Sequence, residues 1–266
     1  MPSIWSSIGN FWKNRFAPPH RWPKENEALF NLVASDRAGH DGSVVPLLTE
    51  KTTPGLHDFI IREALQRFAP NTGPAVDLGA GSGALVLRLK SLGWDVEAAD
   101  IDAAAYRADV PFIRVDLNEP DFAARLGKRR FSLVTSVEVI EHVESPIGFL
   151  RNVARLLRPD GMALITTPNV DNIPARLKFL LRGRIRMMDQ GSDPTHISPI
   201  FWDLLTRLYL PQGGLRLMSH FLYPPRGYKL SRKRYTWTFR PLALFLSGDS
   251  LHGDNHVMAL QLAERC

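Results

Sequence analysis

The 266-residue sequence predicts an α/β protein with a seven-strand, mostly parallel sheet, helices on both faces and a C-terminal antiparallel β-hairpin. Three observations carry this prediction. Strand-like and helix-like runs alternate from about residue 75 to residue 167, which is the pattern of a parallel sheet wound with helices. A glycine-rich turn at 79–83 joins an apolar run, Ala75 to Leu78, to the helical run Ala84-Leu85-Val86-Leu87-Arg88-Leu89. Two further strand-like runs, Leu215 to Tyr223 and His256 to Ala263, flank an Arg- and aromatic-rich insertion at 226–246.

Taken in order, residues 1–22 place Ile4, Trp5, Ile8, Phe11, Trp12 and Phe16 at spacings of mostly three to four, the period of an amphipathic helix. Pro18, Pro19 and Pro23 end it. Residues 36–55 are rich in Gly, Asp and Pro and read as loop. Leu56 to Phe68 reads as a helix with Ile60, Ile61, Ala64, Leu65 and Phe68 on one face, stopped by Pro70. Strands follow near 75–80, 95–101, 111–117, 131–137 and 162–167. Helices are expected at 83–92, 102–107 and 146–157, with a turn at 120–126. After Pro168, Ile173 to Leu181 reads as a basic helix, a loop runs to Ser198, and Ile200 to Leu210 reads as another helix. The expected organisation is an extension over 1–55, a cofactor-binding core over 56–170, and substrate-side elements over 171–266 that complete the same domain.

Composition narrows the class. An apolar share of 44% is enough for a real core. No run approaches the ~18 apolar residues of a membrane span, and Trp12-Lys13-Asn14-Arg15 interrupts the N-terminal apolar residues too early for a signal peptide. The one cysteine, Cys266, excludes an internal disulfide, and the expected location is the cytoplasm, with peripheral contact at the inner face of a membrane. Charge is uneven: residues 171–240 hold 13 Lys/Arg against 4 Asp, although the whole chain is only +6. Such a segment suits an anionic substrate, a membrane surface, nucleic acid or a solubilising face.

The turn Gly79-Ala80-Gly81-Ser82-Gly83 lets a ligand approach backbone N–H groups where no Cβ stands in the way. Asp100 follows Gly83 by 17 residues, at the end of the next strand, where a carboxylate can accept hydrogen bonds from ribose hydroxyls. The pattern fits G-x-G-x-x-G/A and G-x-G-x-G alike, so the turn by itself leaves a dinucleotide and another nucleoside cofactor both open.

Several motifs in order resemble those of the class I S-adenosylmethionine-dependent methyltransferases, with a Rossmann-like fold. Val76-Asp77-Leu78-Gly79-Ala80-Gly81-Ser82-Gly83 matches the first motif and Asp100 the acid of the second strand. Phe112 to Leu117 matches the third motif, Phe131 to Glu138 the fourth strand, and Arg155 to Ile165 the helix–turn–strand that follows, with Asp160 where Gly is more usual. The resemblance implies S-adenosylmethionine as cofactor. It implies a cofactor site of Asp77, Gly79, Ala80, Gly81, Gly83, Asp100, Ile101, Asp116, Leu117 and Val137. In it Asp77 meets the charged amino end, Asp100 the ribose and Asp116 the adenine amino group, with Asp102 as the alternative to Asp100.

A second constellation is Glu138-Val139-Ile140-Glu141-His142. If a helical turn begins there, Glu138, Glu141 and His142 share a face. Two carboxylates and an imidazole can hold Mg²⁺, Mn²⁺ or Zn²⁺, with His196 as a fourth ligand. Glu-x-x-Glu-His with a later Thr-His resembles the ubiquinone-biosynthesis O-methyltransferases, and a similar set occurs in small-RNA 2′-O-methyltransferases. The resemblance implies a metal that lowers the pKa of an acceptor hydroxyl, with His142 and Glu141 as catalytic residues. The alternative gives His142 the role of a lone general base.

The expected activity is therefore O-methylation of a hydroxyl on a small molecule, a sugar or a lipid-linked intermediate. An RNA acceptor ranks lower because no RNA-binding module is recognisable. A non-catalytic nucleotide-binding scaffold is a further alternative, and an NAD-dependent reductase ranks last because the sequence has no Tyr-x-x-x-Lys pair. Thr166-Thr167-Pro168-Asn169-Val170 and the basic helix after it resemble bacterial methyltransferases associated with surface polysaccharides. There Asn169 either faces the acceptor or shapes the turn.

Overall fold

The first strand, β1 (Pro74–Leu78), is buried from Ala75 onward, because helices cover both faces of a parallel sheet. The protein was studied as a computed structural model. It describes residues 48, 50–66, 72–189, 192–230, 248 and 250–264. The expected N-terminal helix, most of the 36–55 loop, Phe68, Pro70, most of the 226–246 insertion and Cys266 lie outside the described residues.

Helix α1 (Leu56–Phe59) runs directly into a π-helical stretch, Ile60–Leu65, and buries Ile60, Ile61, Ala64 and Leu65 as the sequence pattern requires. After β1 come α2 (Ala84–Ser91), β2 (Asp95–Asp100), β3 (Phe112–Arg114), α3 (Phe122–Arg125) and β4 (Phe131–Ser136). Then follow α4 (Pro146–Leu156), β5 (Leu157–Pro168) and α5 (Ile173–Arg182). A helix assembled from Trp202–Leu204, the π-helical Leu205–Tyr209 and Leu210–Gln212 precedes β6 (Leu215–Tyr223) and β7 (Asn255–Leu262).

The seven strands stand in the order β3-β2-β1-β4-β5-β7-β6. All neighbours are parallel from β3 through to β5, whereas β7 runs antiparallel to both β5 and β6. The mostly parallel sheet with its closing hairpin is therefore as expected.

Local chemistry explains the helix limits. Ser145 caps α4, its Oγ accepting from Gly148 N at 3.1 Å, and Pro146 occupies the first turn. Phe149, Leu150, Val153 and Leu156 then face the core. Asn172 caps α5 through Ala175 N at 3.0 Å, and Gly183, at φ 61°, ends it. The core lies between sheet and α4, where Val76, Leu78, Val134, Ile165, Met258 and Leu260 meet Phe149, Leu150 and Val153.

Three elements depart from expectation. The short helix expected at 102–107 is a series of turns, because Asp102 Oδ1 accepts from Ala104 N and Ala105 N and competes with helical bonding. The third strand is limited to Phe112–Arg114, since Asn118 N turns back onto Asp116 Oδ1 at 2.9 Å. The fifth strand begins earlier, at Leu157, with a register irregularity opposite Phe131 and Leu133 that absorbs Arg158–Gly161.

Candidate active site

The glycine turn leaves the C-terminal end of β1. Gly79 lies at φ 76°, and a Cβ there would come 2.4 Å from Val139 Cγ2, so only glycine fits. Gly81, at φ 54°, has nothing within 4 Å of its absent Cβ, which leaves its outer side open. Gly83 precedes the first turn of α2. The turn is pinned to β2: Gly79 N donates to Ala99 O at 2.8 Å and Gly81 N to Asp100 Oδ2 at 2.8 Å. Asp100 Oδ1 accepts from Asp102 N at 2.9 Å, so both oxygens of this carboxylate organise the loop.

Beneath the turn lies Asp77, 3% exposed, with Oδ1 accepting from Thr135 Oγ1 at 2.6 Å. Burial pushes its pKa up to about 7; the Thr135 hydroxyl opposes this and the charge of Asp100 adds to it. Asp77, Gly79, Ala80, Gly81 and Val137 line one cavity together with Ser82, Ala84 and Leu85. Ile101 stands 55% exposed just beyond Asp100. Asp116 and Leu117 follow the end of β3 and are not among that cavity's lining residues.

Lys51, Thr52 and His57 also line the cavity, and sequence reasoning missed them. Thr52 Oγ1 and His57 Nδ1 are buried without a hydrogen-bond partner. Burial, then the nearby Arg88 charge, lowers the His57 pKa to about 3, so the ring is neutral. Arg88 is itself clamped by Glu50 and Asp58. The available signal was a histidine inside the buried run Leu56–Phe59.

The second constellation is built by backbone strain. Among the described residues, the non-glycine residues at positive φ are Glu138 (56°) and Met187 (68°), and both shape this region. At Glu138 the chain reverses before a 3₁₀ turn, Ile140–His142. Glu141 is fully buried, and its carbonyl accepts from Ile197 N at 3.0 Å and Ser198 N at 2.9 Å, which draws the segment bearing His196 against it. Its Oε2 accepts from Thr167 Oγ1 at 3.1 Å, whereas Oε1 is buried without a partner. Burial, then the neighbouring Glu138, holds the Glu141 pKa well above the ordinary carboxylate range.

Donor atoms of Glu141, His142 and His196 all lie within 4.8 Å of one another. Glu138 stands outside this group. Its Oε1 accepts from Thr166 Oγ1 at 2.8 Å and its Oε2 from Asn255 Nδ2 at 2.6 Å. Burial raises its pKa to about 7, against those two hydrogen bonds. The shared helical face expected for 138, 141 and 142 is absent because the turn starts only at Ile140.

Partners assign the tautomers. Thr195 Oγ1 lies 2.5 Å from Asp193 Oδ1 and donates to it, so at 2.8 Å it accepts from His142 Nδ1–H. His196 Nδ1–H donates to Met187 O at 2.7 Å. Each Nε2 therefore carries a free lone pair. Burial, then the His196 charge, lowers the His142 pKa. Asn169 does not face this cluster; its Nδ2 donates to Ser250 O and His252 O, both at 2.8 Å, and so shapes a turn.

Among the described residues, no helix is long and apolar enough to cross a membrane. A methyltransferase-domain family model matches residues 56–204. The ubiquinone biosynthesis O-methyltransferase of Caulobacter vibrioides is 34% identical over 158 residues, which cover 53% of this chain and 62% of that protein. That of Roseobacter denitrificans is 33% identical over 156 residues, covering 53% and 62%. The chain thus spans less than two thirds of these relatives. Among solved structures, an S-adenosylmethionine-dependent methyltransferase from Clostridium acetobutylicum superposes with a TM-score of 0.53 at 11% identity, covering 98% of this chain and 100% of that one. Another, from Archaeoglobus fulgidus, gives 0.51 at 15% identity, covering 77% and 93%. These likenesses show the fold.

Proposed function

Because the chain belongs to the methyltransferase-domain family and is a class I S-adenosylmethionine-dependent methyltransferase, we propose that it methylates a hydroxyl oxygen beside Glu141, His142 and His196. The acceptor is a small molecule, a sugar or a lipid-linked intermediate. One observation carries this reading: ligand atoms of Glu141, His142 and His196 lie within 4.8 Å of one another, and each imidazole has its Nδ1–H bound to an oxygen, which leaves its Nε2 lone pair free. The naming of these relatives as O-methyltransferases supports oxygen as the acceptor atom.

A sulfonium methyl group needs no activation, so the chain has to align an in-line attack and remove a proton. In this reading Gly79 and Gly81 admit the cofactor to the backbone, with Ala80, Gly83 and Val137 around it. Asp77 faces its amino end, Asp100 its ribose, and Ile101, Asp116 and Leu117 its adenine. As the acceptor oxygen bonds to the methyl carbon, the sulfur keeps the electrons of the broken bond and the hydroxyl proton passes to His142 Nε2. The lowered pKa of His142 keeps that nitrogen unprotonated near neutral pH.

The cluster also fits a divalent cation. Two imidazoles and the buried carboxylate of Glu141, whose Oε1 has no hydrogen-bond partner, form a mixed nitrogen–oxygen set that suits Zn²⁺ or Mn²⁺ better than Mg²⁺. Such a cation, held by Glu141, His142 and His196, would lower the pKa of the acceptor hydroxyl. Thr195 and Met187 orient the rings for it, and Glu138 braces the turn from outside.

The test uses methyl-labelled cofactor and extracts of polar and lipid metabolites. Label is expected in a methyl ether, and His142→Ala is expected to abolish transfer while S-adenosylhomocysteine binding survives. Label on nitrogen or carbon, or full transfer by His142→Ala, overturns the proposal.

A further inference from the structure

The two strained turns beside the His–Glu cluster, at Glu138 (φ 56°) and Met187 (φ 68°), are braced from one place, the start of β7. Such backbone angles persist only where the surroundings over-determine them. Asn255 Nδ2 donates to Glu138 Oε2 at 2.6 Å. The residue before it, Asp254, is fully buried and reaches the chain neighbour of Met187: its Oδ1 accepts from a guanidinium nitrogen of Arg186 at 2.8 Å.

Asp254 is itself held fast. Its Oδ2 accepts from Lys229 N and from Leu230 N, so both carboxylate oxygens are engaged. Its N–H donates to Tyr223 O at 2.6 Å and its carbonyl accepts from Asn169 N at 2.7 Å, which ties it to the ends of β6 and β5. Arg186 is 8% exposed, so the pair is withdrawn from water. A buried ion pair contributes little to stability by itself, because desolvation of the two charges offsets much of their attraction. It does fix geometry, since a charged hydrogen bond is short and directional. The geometry fixed here is that of the segment leading from α5 to His196. Arg186 anchors this segment, Met187 turns left-handed directly after it, and the Met187 carbonyl accepts the Nδ1–H of His196 at 2.7 Å.

We propose that Arg186 and Asp254 are positioning residues for His196. The ion pair holds the turn at Met187, the Met187 carbonyl holds the ring proton on Nδ1, and Nε2 keeps its lone pair free. Without the pair, Met187 relaxes to an ordinary backbone angle and its carbonyl leaves the ring. An imidazole whose Nδ1–H has lost its acceptor is free to carry the proton on Nε2, which blocks the lone pair there. The inference rests on the proposed function of the cluster for its chemical consequence, and on the hydrogen bonds alone for the state of the ring.

Nitrogen NMR of the full chain with labelled histidine tests it, free of metal and at about pH 8.5, where imidazoles are neutral. The His196 signal is assigned by its loss in His196→Ala. Wild type is expected to show the Nδ1–H form. Arg186→Met with Asp254→Asn removes both charges together and so leaves no unpaired buried charge. It should move at least about half of His196 to the Nε2–H form and lower Zn²⁺ or Mn²⁺ affinity about tenfold. Arg186→Lys keeps a cation for Asp254 and should retain the wild-type ring state. Retained S-adenosylhomocysteine binding shows that a variant is folded; if the double variant binds none, Asp254→Asn alone is read in its place. A lower melting temperature with an unchanged His196 ring state is what a merely structural pair gives, and overturns the proposal. So does a wild-type His196 that carries its proton on Nε2. The ring state is read without metal or acceptor, so failure of the cluster's proposed chemistry is distinguishable from failure of this inference.

Discussion

His142 and His196 meet edge to face with ring centroids 4.6 Å apart, and the Nδ1–H of each is held by an oxygen of the segment 187–195. The arrangement leaves both Nε2 lone pairs free, in rings that form one cluster with Glu141. From it follows a prediction about metal. Zn²⁺ or Mn²⁺ should bind in a one-to-one ratio, and His196→Ala or Glu141→Gln should abolish that binding. Thr195→Val removes the nearer of the two Thr195 oxygens that hold His142 Nδ1, leaving the carbonyl at 3.2 Å, and should weaken affinity up to about 10-fold. Elemental analysis and calorimetry check this. Full activity after exhaustive chelation, with no metal in the folded protein, would leave His142 as a lone base.

Asp100 shapes the loop in this structure, and in the proposed function it also holds the ribose. Asp100→Ala should lower S-adenosylmethionine affinity about 10- to 100-fold, from loss of charge-assisted hydrogen bonds. It should also loosen the turn, because Gly81 N and Asp102 N lose their acceptor. Asp102→Ala should disturb cofactor binding far less, since its side chain caps Ala104 and Ala105. Calorimetry of both variants decides; equal losses would move the ribose role away from Asp100.

Gly79→Ala places a Cβ 2.4 Å from Val139 Cγ2 at φ 76°. The left-handed backbone alone costs about 1–2 kcal/mol, and the contact adds to it. Val139→Ala in the same chain should restore only the contact part. Denaturant unfolding measures both, and a double variant as stable as wild type would show that the backbone angle carries no penalty.

Asp77 gives a pH signature. Its folded-state pKa, about 7, lies above the ordinary 3.8, so between those values the folded chain holds a proton that the unfolded chain has lost. Stability contributed by this group is complete below about pH 4 and declines as pH rises towards 7. Asp77→Asn should flatten that decline. The cationic amino end of the cofactor favours the carboxylate, so binding at pH 7 should release roughly half a proton. Calorimetry in buffers of different ionisation enthalpy measures this, and release unchanged in Asp77→Asn would place the proton elsewhere.

Much of this was legible in the sequence because the determinants are local. The glycines at 79, 81 and 83 announce a turn with left-handed backbone, crowded against neighbours at 79 and 83, and Asp100 follows at the strand end. Glu141, His142 and His196 also come together as expected. What stayed hidden depends on contacts or backbone angles that periodicity does not encode. The positive φ at Glu138 turns its carboxyl to Thr166 and Asn255, although residue spacing alone would align it with Glu141. Asp102 diverts its own backbone from a helix. Lys51, Thr52 and His57 carry no motif and reach the cavity at the glycine turn only because α1 and the chain just before it pack there.

Strand β7 is the last of the seven to be synthesised, yet it is not an edge; it stands between β5 and β6. On the ribosome, β5 and β6 therefore have to wait with facing sides unpaired until residues 255–262 emerge. The same strand brings Asn255 to Glu138. Translation thus supplies the strand next to the edge after the edge itself, and a nascent chain stalled before residue 255 has every glycine of the 79–83 turn but neither a closed sheet nor a braced Glu138.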